Sequence, residues 1–245
     1  MKVVGIIQAR MGSSRLPGKI LMPIVDDKPL IEVLAVRACA PNVRWWIATT
    51  WDPSDDATVD WASRAGFRVY RGSVENVLSR FLAIAEIEDA EWVIRLTGDN
   101  PLVHSSVVSR LMDDASRAED GIDLVRDPAT SPRFPAGFVP EVARVRALKG
   151  LANDAQLPSF HRTHVTSGIS AHRVQAIRAG ELPPHPELRW TVDTPEDLAM
   201  VRTLLQRLDV PWQTATYRDL LRVVRGNPDI PELNGQVRPK PLEDG

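Results

Sequence analysis

The chain has 245 residues, 43% of them hydrophobic, and a formal net charge of −2. It can bury one sizeable core, suits one large α/β domain with an arm better than two full domains, and is too evenly charged for a nucleic-acid binder. Its single cysteine, Cys39, excludes an internal disulfide and points to a reducing, cytoplasmic compartment, and its first apolar run, residues 3–7, falls far short of the ~20 residues of a membrane span.

That first run reads as a strand buried on both faces. A Gly-, Ser-, Arg- and Pro-containing loop follows over 10–19. A helix then begins near Pro29, with Leu30, Ile31, Leu34 and Ala38 on one face. Residues 43–49 are strand-like. Ser54 is the predicted N-cap of a helix running to Ala65 and stopped by Gly66. A short strand over 67–70, a helix over 74–87 and a strand over 92–96 come next. After the loop 97–101 another helix runs to about Arg117. This alternation predicts a doubly wound, mostly parallel sheet, in which ligands sit at the carboxyl ends of strands.

The rhythm breaks over 122–178, read as an excursion from the sheet that forms an arm or part of an acceptor pocket. It returns with a strand over 189–192 and a helix opened by Thr194-Pro195-Glu196-Asp197, where Thr194 and Asp197 read as capping residues. A last helix spans 217–225. The domain therefore covers 1–226, and the Pro-rich tail, 227–245, reads as extended.

Three segments at strand ends carry chemistry. The run from Gln8 to Lys19 holds three cations, Arg10, Arg15 and Lys19, and no anion. Gly12 lets backbone approach a ligand, and Ser13 and Ser14 add hydroxyl donors. Together they suit a polyphosphate. The spacing from Gly12 to Gly18 and Ile20 after Lys19 exclude a Walker A loop, and no dinucleotide fingerprint is present. Asp99, just past a strand end, suits Mg²⁺ beside a substrate phosphate, or equally a turn. Asp193 likewise follows an apolar stretch and is left as a second Mg²⁺ carboxylate. His161 and His164 lie three apart with no cysteine nearby, which argues against zinc. Trp51 and Trp190, near strand ends, could line a pocket.

The run Ile6-Ile7-Gln8-Ala9-Arg10-Met11-Gly12-Ser13-Ser14-Arg15-Leu16-Pro17-Gly18-Lys19 closely resembles the signature of the SpsF-type cytidylyltransferases of spore-coat polysaccharide biosynthesis. These group with the enzymes that make CMP-activated KDO and sialic acids. Ala48-Thr49-Thr50, Arg71-Gly72-Ser73, Arg95-Leu96-Thr97-Gly98-Asp99, His164-Val165-Thr166 and Trp190-Thr191-Val192-Asp193-Thr194-Pro195-Glu196-Asp197-Leu198 continue the match. The resemblance implies a nucleotide-diphospho-sugar-transferase (GT-A-like) fold, CTP as donor, Mg²⁺ as cofactor and a homodimer through the middle arm. It implies that Arg10, Ser14, Arg15 and Lys19 hold the triphosphate, that Ala9, Thr49 and Ser73 face base and ribose, and that Asp99 and Asp193 hold the metal.

The acceptor region departs from the pattern. Ala136 and Val139 stand where related proteins often carry acids, while Glu141 remains, and Asn100 stands where SpsF-like proteins often carry Cys. Between Arg126 and Arg173 there are seven Arg or Lys and three Asp or Glu, a bias that suits an anionic acceptor or a solvated basic face. A glycosyltransferase would usually offer Asp-x-Asp, which Asp99-Asn100-Pro101 does not. A non-catalytic nucleotide-binding subunit would be expected to have lost Lys19 or a metal carboxylate.

Overall fold

The computed structural model describes residues 1–178 and 180–238. Strand β1 (Val3–Gln8) lies in the middle of a sheet, its Val4, Ile6 and Ile7 wholly buried because helices cover both faces. A hairpin of β2 (Pro23–Val25) and β3 (Lys28–Pro29) precedes α1 (Leu30–Ala38). Its two-residue turn, Asp26-Asp27, has φ of 47° and 57°, the doubly left-handed turn that Asp tolerates. The alternation continues through β4 (Arg44–Thr50), α2 (Asp56–Arg64), β5 (Arg68–Gly72), α3 (Val77–Ile87), β6 (Trp92–Thr97) and α4 (Ser105–Ser116).

The stretch 122–178, expected to leave the sheet, instead returns three short strands to it. They are β7 (Leu124–Arg126), β8 (Glu141–Arg144) and β9 (Val174–Ala176), with α5 (Val145–Asn153) and α6 (Ser159–Thr163) between the last two. Strands of three or four residues are too short to display a period, which is why the pattern hid them. The sheet order is β5-β4-β1-β6-β8-β7-β9. β8 runs antiparallel to both β6 and β7, and the other pairings are parallel. The chain winds outward from β1 to β5, then crosses back to β6 on the other side of β1. That reversal leaves a crevice at the carboxyl ends of β1 and β6.

α7 (Pro195–Gln206), α8 (Tyr217–Gly226) and α9 (Asp229–Glu232) are the last helices among the described residues. Thr194 and Asp197 form the expected capping box of α7. Three expectations change. Residues 189–192 are extended, but Arg189 makes only an isolated bridge, to Ala136. The partner segment contains Pro135, Pro140 and Gly137 at φ +87°, which cannot sustain a ladder. Ser54 does not cap α2: Asp52 accepts from Ser54 N in a preceding 3₁₀ turn. The tail is not extended over 227–238, because α9 buries Ile230 against the core; its remainder, 239–245, lies outside the described residues. Trp190 is a core side chain, edge-on to Phe138 at 5.3 Å between ring centroids, whereas Trp51 is exposed.

Candidate functional site

The crevice is a cleft of about 560 Å³ that gathers Ala9, Arg10, Gly12, Ser14, Arg15, Lys19, Asp99 and Asp193. The loop after β1 is built to present its cations. Ala9 N donates to Ala48 O (3.1 Å), continuing the β-ladder to the loop's first residue. Buried Asp55 then accepts from Met11 N (2.6 Å) with one carboxylate oxygen and from Thr50 N (3.0 Å) with the other, so the loop is tied to the end of β4. Gly18 N closes the ring onto Met11 O at 2.9 Å, and Gly18 takes φ +73° to do so. At Gly12 a Cβ would meet no protein atom within 4 Å. The fold leaves this backbone open to the cleft.

Lys19 is the centre of the arrangement. Only 8% exposed, its Nζ donates to Asp99 Oδ2, Asp193 Oδ1 and Val192 O, each at 2.8 Å, which uses all three ammonium protons. Burial alone would lower its pKa, but Asp99 and Asp193 outweigh it and the net shift is upward. Asp193 is shifted the other way: burial opposes ionisation, and Lys19, Arg15 and Arg189 overcome it. Its Oδ2 meets Arg15 at 3.1 Å and Arg189 at 2.6 Å. The side chains of Asp99 and Asp193 keep 26% and 22% exposure, so both still open on the cleft.

Among the described residues no group of three or more His, Cys, Asp or Glu is placed to hold a metal ion. The donor set here, two carboxylates beside a cation-lined cleft, fits a hard ion such as Mg²⁺, which typically takes one or two carboxylates and completes its shell with phosphate oxygens and water. It does not fit a protein-only cage.

The structure does not bring Thr49 and Ser73 into this cleft. Thr49 is fully buried in β4, its Oγ1 without a hydrogen-bond partner. Ser73 turns its Oγ back to accept from Asn76 N (3.0 Å) in the turn before α3. Neither side chain is placed to meet a base or ribose there.

Three features were not singled out from sequence. Arg80, on α3, lines the cleft while nearly buried and donates to Ala48 O (3.1 Å); its signal would have been a cation on the apolar face of a helix. Asp55 is the second. The third is the set of contacts of Glu141, noted from sequence only as a retained acid: it accepts from Arg95 (2.7 Å), Arg126 (2.8 Å) and Thr166 Oγ1 (2.6 Å). Burial opposes the charge of Glu141, the two arginines overcome that, and its pKa falls. Thr163 and His164 reach the cleft from the C-terminal end of α6. There Val165 sits at φ +53°, a left-handed conformation costing a β-branched residue about 1–2 kcal/mol and held by the Thr166 contact to Glu141.

Comparison with known proteins agrees with this geometry. A protein-family model described as Cytidylyltransferase matches residues 4–207. The spore coat polysaccharide biosynthesis protein SpsF of Bacillus subtilis is 35% identical over 238 residues, covering 93% of this chain and 95% of that protein. A 3-deoxy-manno-octulosonate cytidylyltransferase of Sodalis glossinidius is 27% identical, covering 85% of this chain and 100% of its own. Among solved structures, a cytidylyltransferase from Leptospira borgpetersenii superposes with a TM-score of 0.85 at 26% identity, covering 98% of this chain and 100% of that one.

Proposed function

The chain belongs to the cytidylyltransferase family, and we propose that it transfers CMP from CTP to a small sugar-like or anionic acceptor in polysaccharide biosynthesis, with Mg²⁺ as cofactor and pyrophosphate as the second product. The observation that carries the residue assignment is the cation-rich loop after β1 facing the Asp99–Asp193 pair across one cleft.

In this reading the acceptor oxygen attacks the α-phosphorus in line. Arg10, Ser14 and the open backbone at Gly12 receive the triphosphate, and Arg15 and Lys19 stabilise the charge that builds on the departing pyrophosphate. Asp99 and Asp193 would hold the metal, which when bound would offset phosphate charge and orient the reacting centre. The chain itself contributes position and electrostatics more than covalent chemistry. An acceptor oxygen already ionised, as in a phosphate or phosphonate, needs no general base. A cytoplasmic location and a homodimer through 122–178 belong to the same reading. No described helix is long and apolar enough to cross a membrane.

The test is pyrophosphate release from CTP, UTP, ATP and GTP with Mg²⁺ against acidic sugars, sugar phosphates and phosphonates. Release with CTP and one acceptor class names the reaction. Absence of CTP binding by calorimetry would overturn the donor assignment.

A further inference from the structure

Asp193 is held by more than its cleft partners. Its backbone N–H donates to Asp197 Oδ2 at 2.9 Å, and that of Thr194 to the same oxygen at 3.1 Å. Its side chain takes Arg189 Nη2, and Arg189 is itself oriented by Nε donating to Asp197 Oδ1 at 2.9 Å. Asp197 is therefore both the N3 residue of a capping box and the anchor from which backbone and side chain of Asp193 are set. Its carboxylate is completely buried. A charge removed from water in this way must be satisfied by protein donors.

The last donor comes from the C-terminal segment. Asn234, 4% exposed, donates through Nδ2 to Asp197 Oδ1 (2.9 Å) and to Arg189 O (3.0 Å). One amide thus ties together the two residues that aim Asp193. α9 makes this reach feasible, because burial of Ile230 folds the segment back against α7. The same segment brings Arg238 O to 3.5 Å from Arg15 Nη1, on the cleft's other contact with Asp193.

We propose that Asn234 is a positioning residue for Asp193, and that the segment after α8 is consequently part of the apparatus for nucleotidyl transfer. The proposal rests on the reading of Asp193 as a carboxylate for the metal that accompanies CTP. Residues that orient metal ligands from behind typically change metal affinity or activity by about 10–100-fold when altered. A residue serving stability alone would lower the melting temperature and leave metal affinity where it was.

The experiment uses the full chain and Mn²⁺ as a spectroscopic probe. Mn²⁺ affinity is measured by electron paramagnetic resonance in saturating CTP, and CTP affinity is measured without metal. Asn234→Leu removes the donor and keeps the branched skeleton. Asn234→Ala removes it without added bulk or charge and serves if the leucine variant does not fold. Ile31→Val, at a wholly buried position in α1 away from the cleft and the C-terminal segment, controls for stability. The expected result is Mn²⁺ affinity about 10–100-fold weaker in the Asn234 variants, metal-free CTP affinity unchanged, and wild-type behaviour in Ile31→Val. Wild-type Mn²⁺ affinity in a folded Asn234 variant, or equal loss in Ile31→Val, overturns the proposal. Wild-type protein that binds CTP but takes up no Mn²⁺ overturns the metal reading and the proposal together, and is distinguished by that pattern.

Discussion

Replacing Lys19 by Met should make Asp99 and Asp193, the carboxylates proposed to hold the metal, easier to reach in the absence of nucleotide, and harder to use in its presence. Met retains the length and apolar stem of the buried side chain and deletes the ammonium. That ammonium makes two charge-assisted hydrogen bonds, to Asp99 and Asp193, each at 2.8 Å. Such bonds contribute about 1.5–3 kcal/mol apiece, and the lower end applies here because both carboxylates remain partly exposed to solvent. A divalent ion entering the nucleotide-free site must displace them, at a cost of about 3 kcal/mol, or about 100-fold in affinity. This contribution is present throughout the neutral range: the pKa of Lys19 is raised by folding, so it is lost only as pH rises through a folded value above ~10.4. Mn²⁺ titrations of wild type and Lys19→Met, with and without CTP, test the argument. Nucleotide-free Lys19→Met should bind Mn²⁺ about 100-fold more tightly than wild type, and CTP should tighten wild type far more than the variant. Equal Mn²⁺ affinities in the two nucleotide-free proteins would refute the reasoning.

Three further outcomes follow from the same contacts. Asp99→Asn keeps the shape and removes the charge, and should lower kcat by at least about 100-fold in a steady-state assay, since charge stabilisation at such a centre amounts to several kcal/mol. Glu141→Gln leaves Arg95 and Arg126 facing a neutral partner in a buried site, and should lower stability by about 3 kcal/mol and the melting temperature by roughly 6–12 °C at pH 7. Because folding depresses the pKa of Glu141, its contribution is present above ~4.3 and is lost as pH falls through the folded value, so the two melting curves should converge in acid. Gly137→Ala would place a Cβ 2.6 Å from Asn100 Oδ1 and 2.8 Å from Thr191 N, at φ +87°. Strain and overpacking together should cost about 2–4 kcal/mol in a denaturant titration.

The gathering of the loop cations and the two carboxylates into one cleft was legible because its signals are local. A loop of cations and glycines after a buried strand, and a carboxylate just past another, can be read from neighbouring residues, and the alternation of strands and helices places them at one edge of one sheet. Thr49 failed on a finer point. Its position near a strand end is correct, but the side chain turns into the core, and facing is not set by position alone where 45–50 are buried throughout. Strands β7 to β9 were hidden by their length. Asp55 and Arg80 act through tertiary contacts with Met11 and Ala48, residues far away in sequence. The docked tail was misread because proline content describes what a segment does alone, whereas Ile230 and Asn234 are ordered by partners that come from elsewhere in the fold.

The charges of the cleft explain why these parts occur together. Five cations, Arg10, Arg15, Lys19, Arg80 and Arg189, line it with two carboxylates, Asp99 and Asp193. That excess of three positive charges lies in a chain whose net charge is −2, so the rest of the molecule carries −5 and the cleft attracts anions against the sign of the whole. The five are not equivalent. Arg10 forms no ion pair among the described residues, and Arg80 donates to a backbone carbonyl, so these two meet an arriving triphosphate without giving up a carboxylate. Arg15 and Lys19 are committed to Asp193. To reach phosphate they must leave it, and what replaces them there must itself be cationic. Under the proposed assignment, a triphosphate and a divalent ion arriving together would satisfy both halves of that exchange: the anion would take the two cations, and Asp99 and Asp193 would be left to hold the ion. Either ligand alone would strand charge in a partly buried site. The pairing of Lys19 with Asp99 and Asp193 thus favours the metal–nucleotide complex over its separate components.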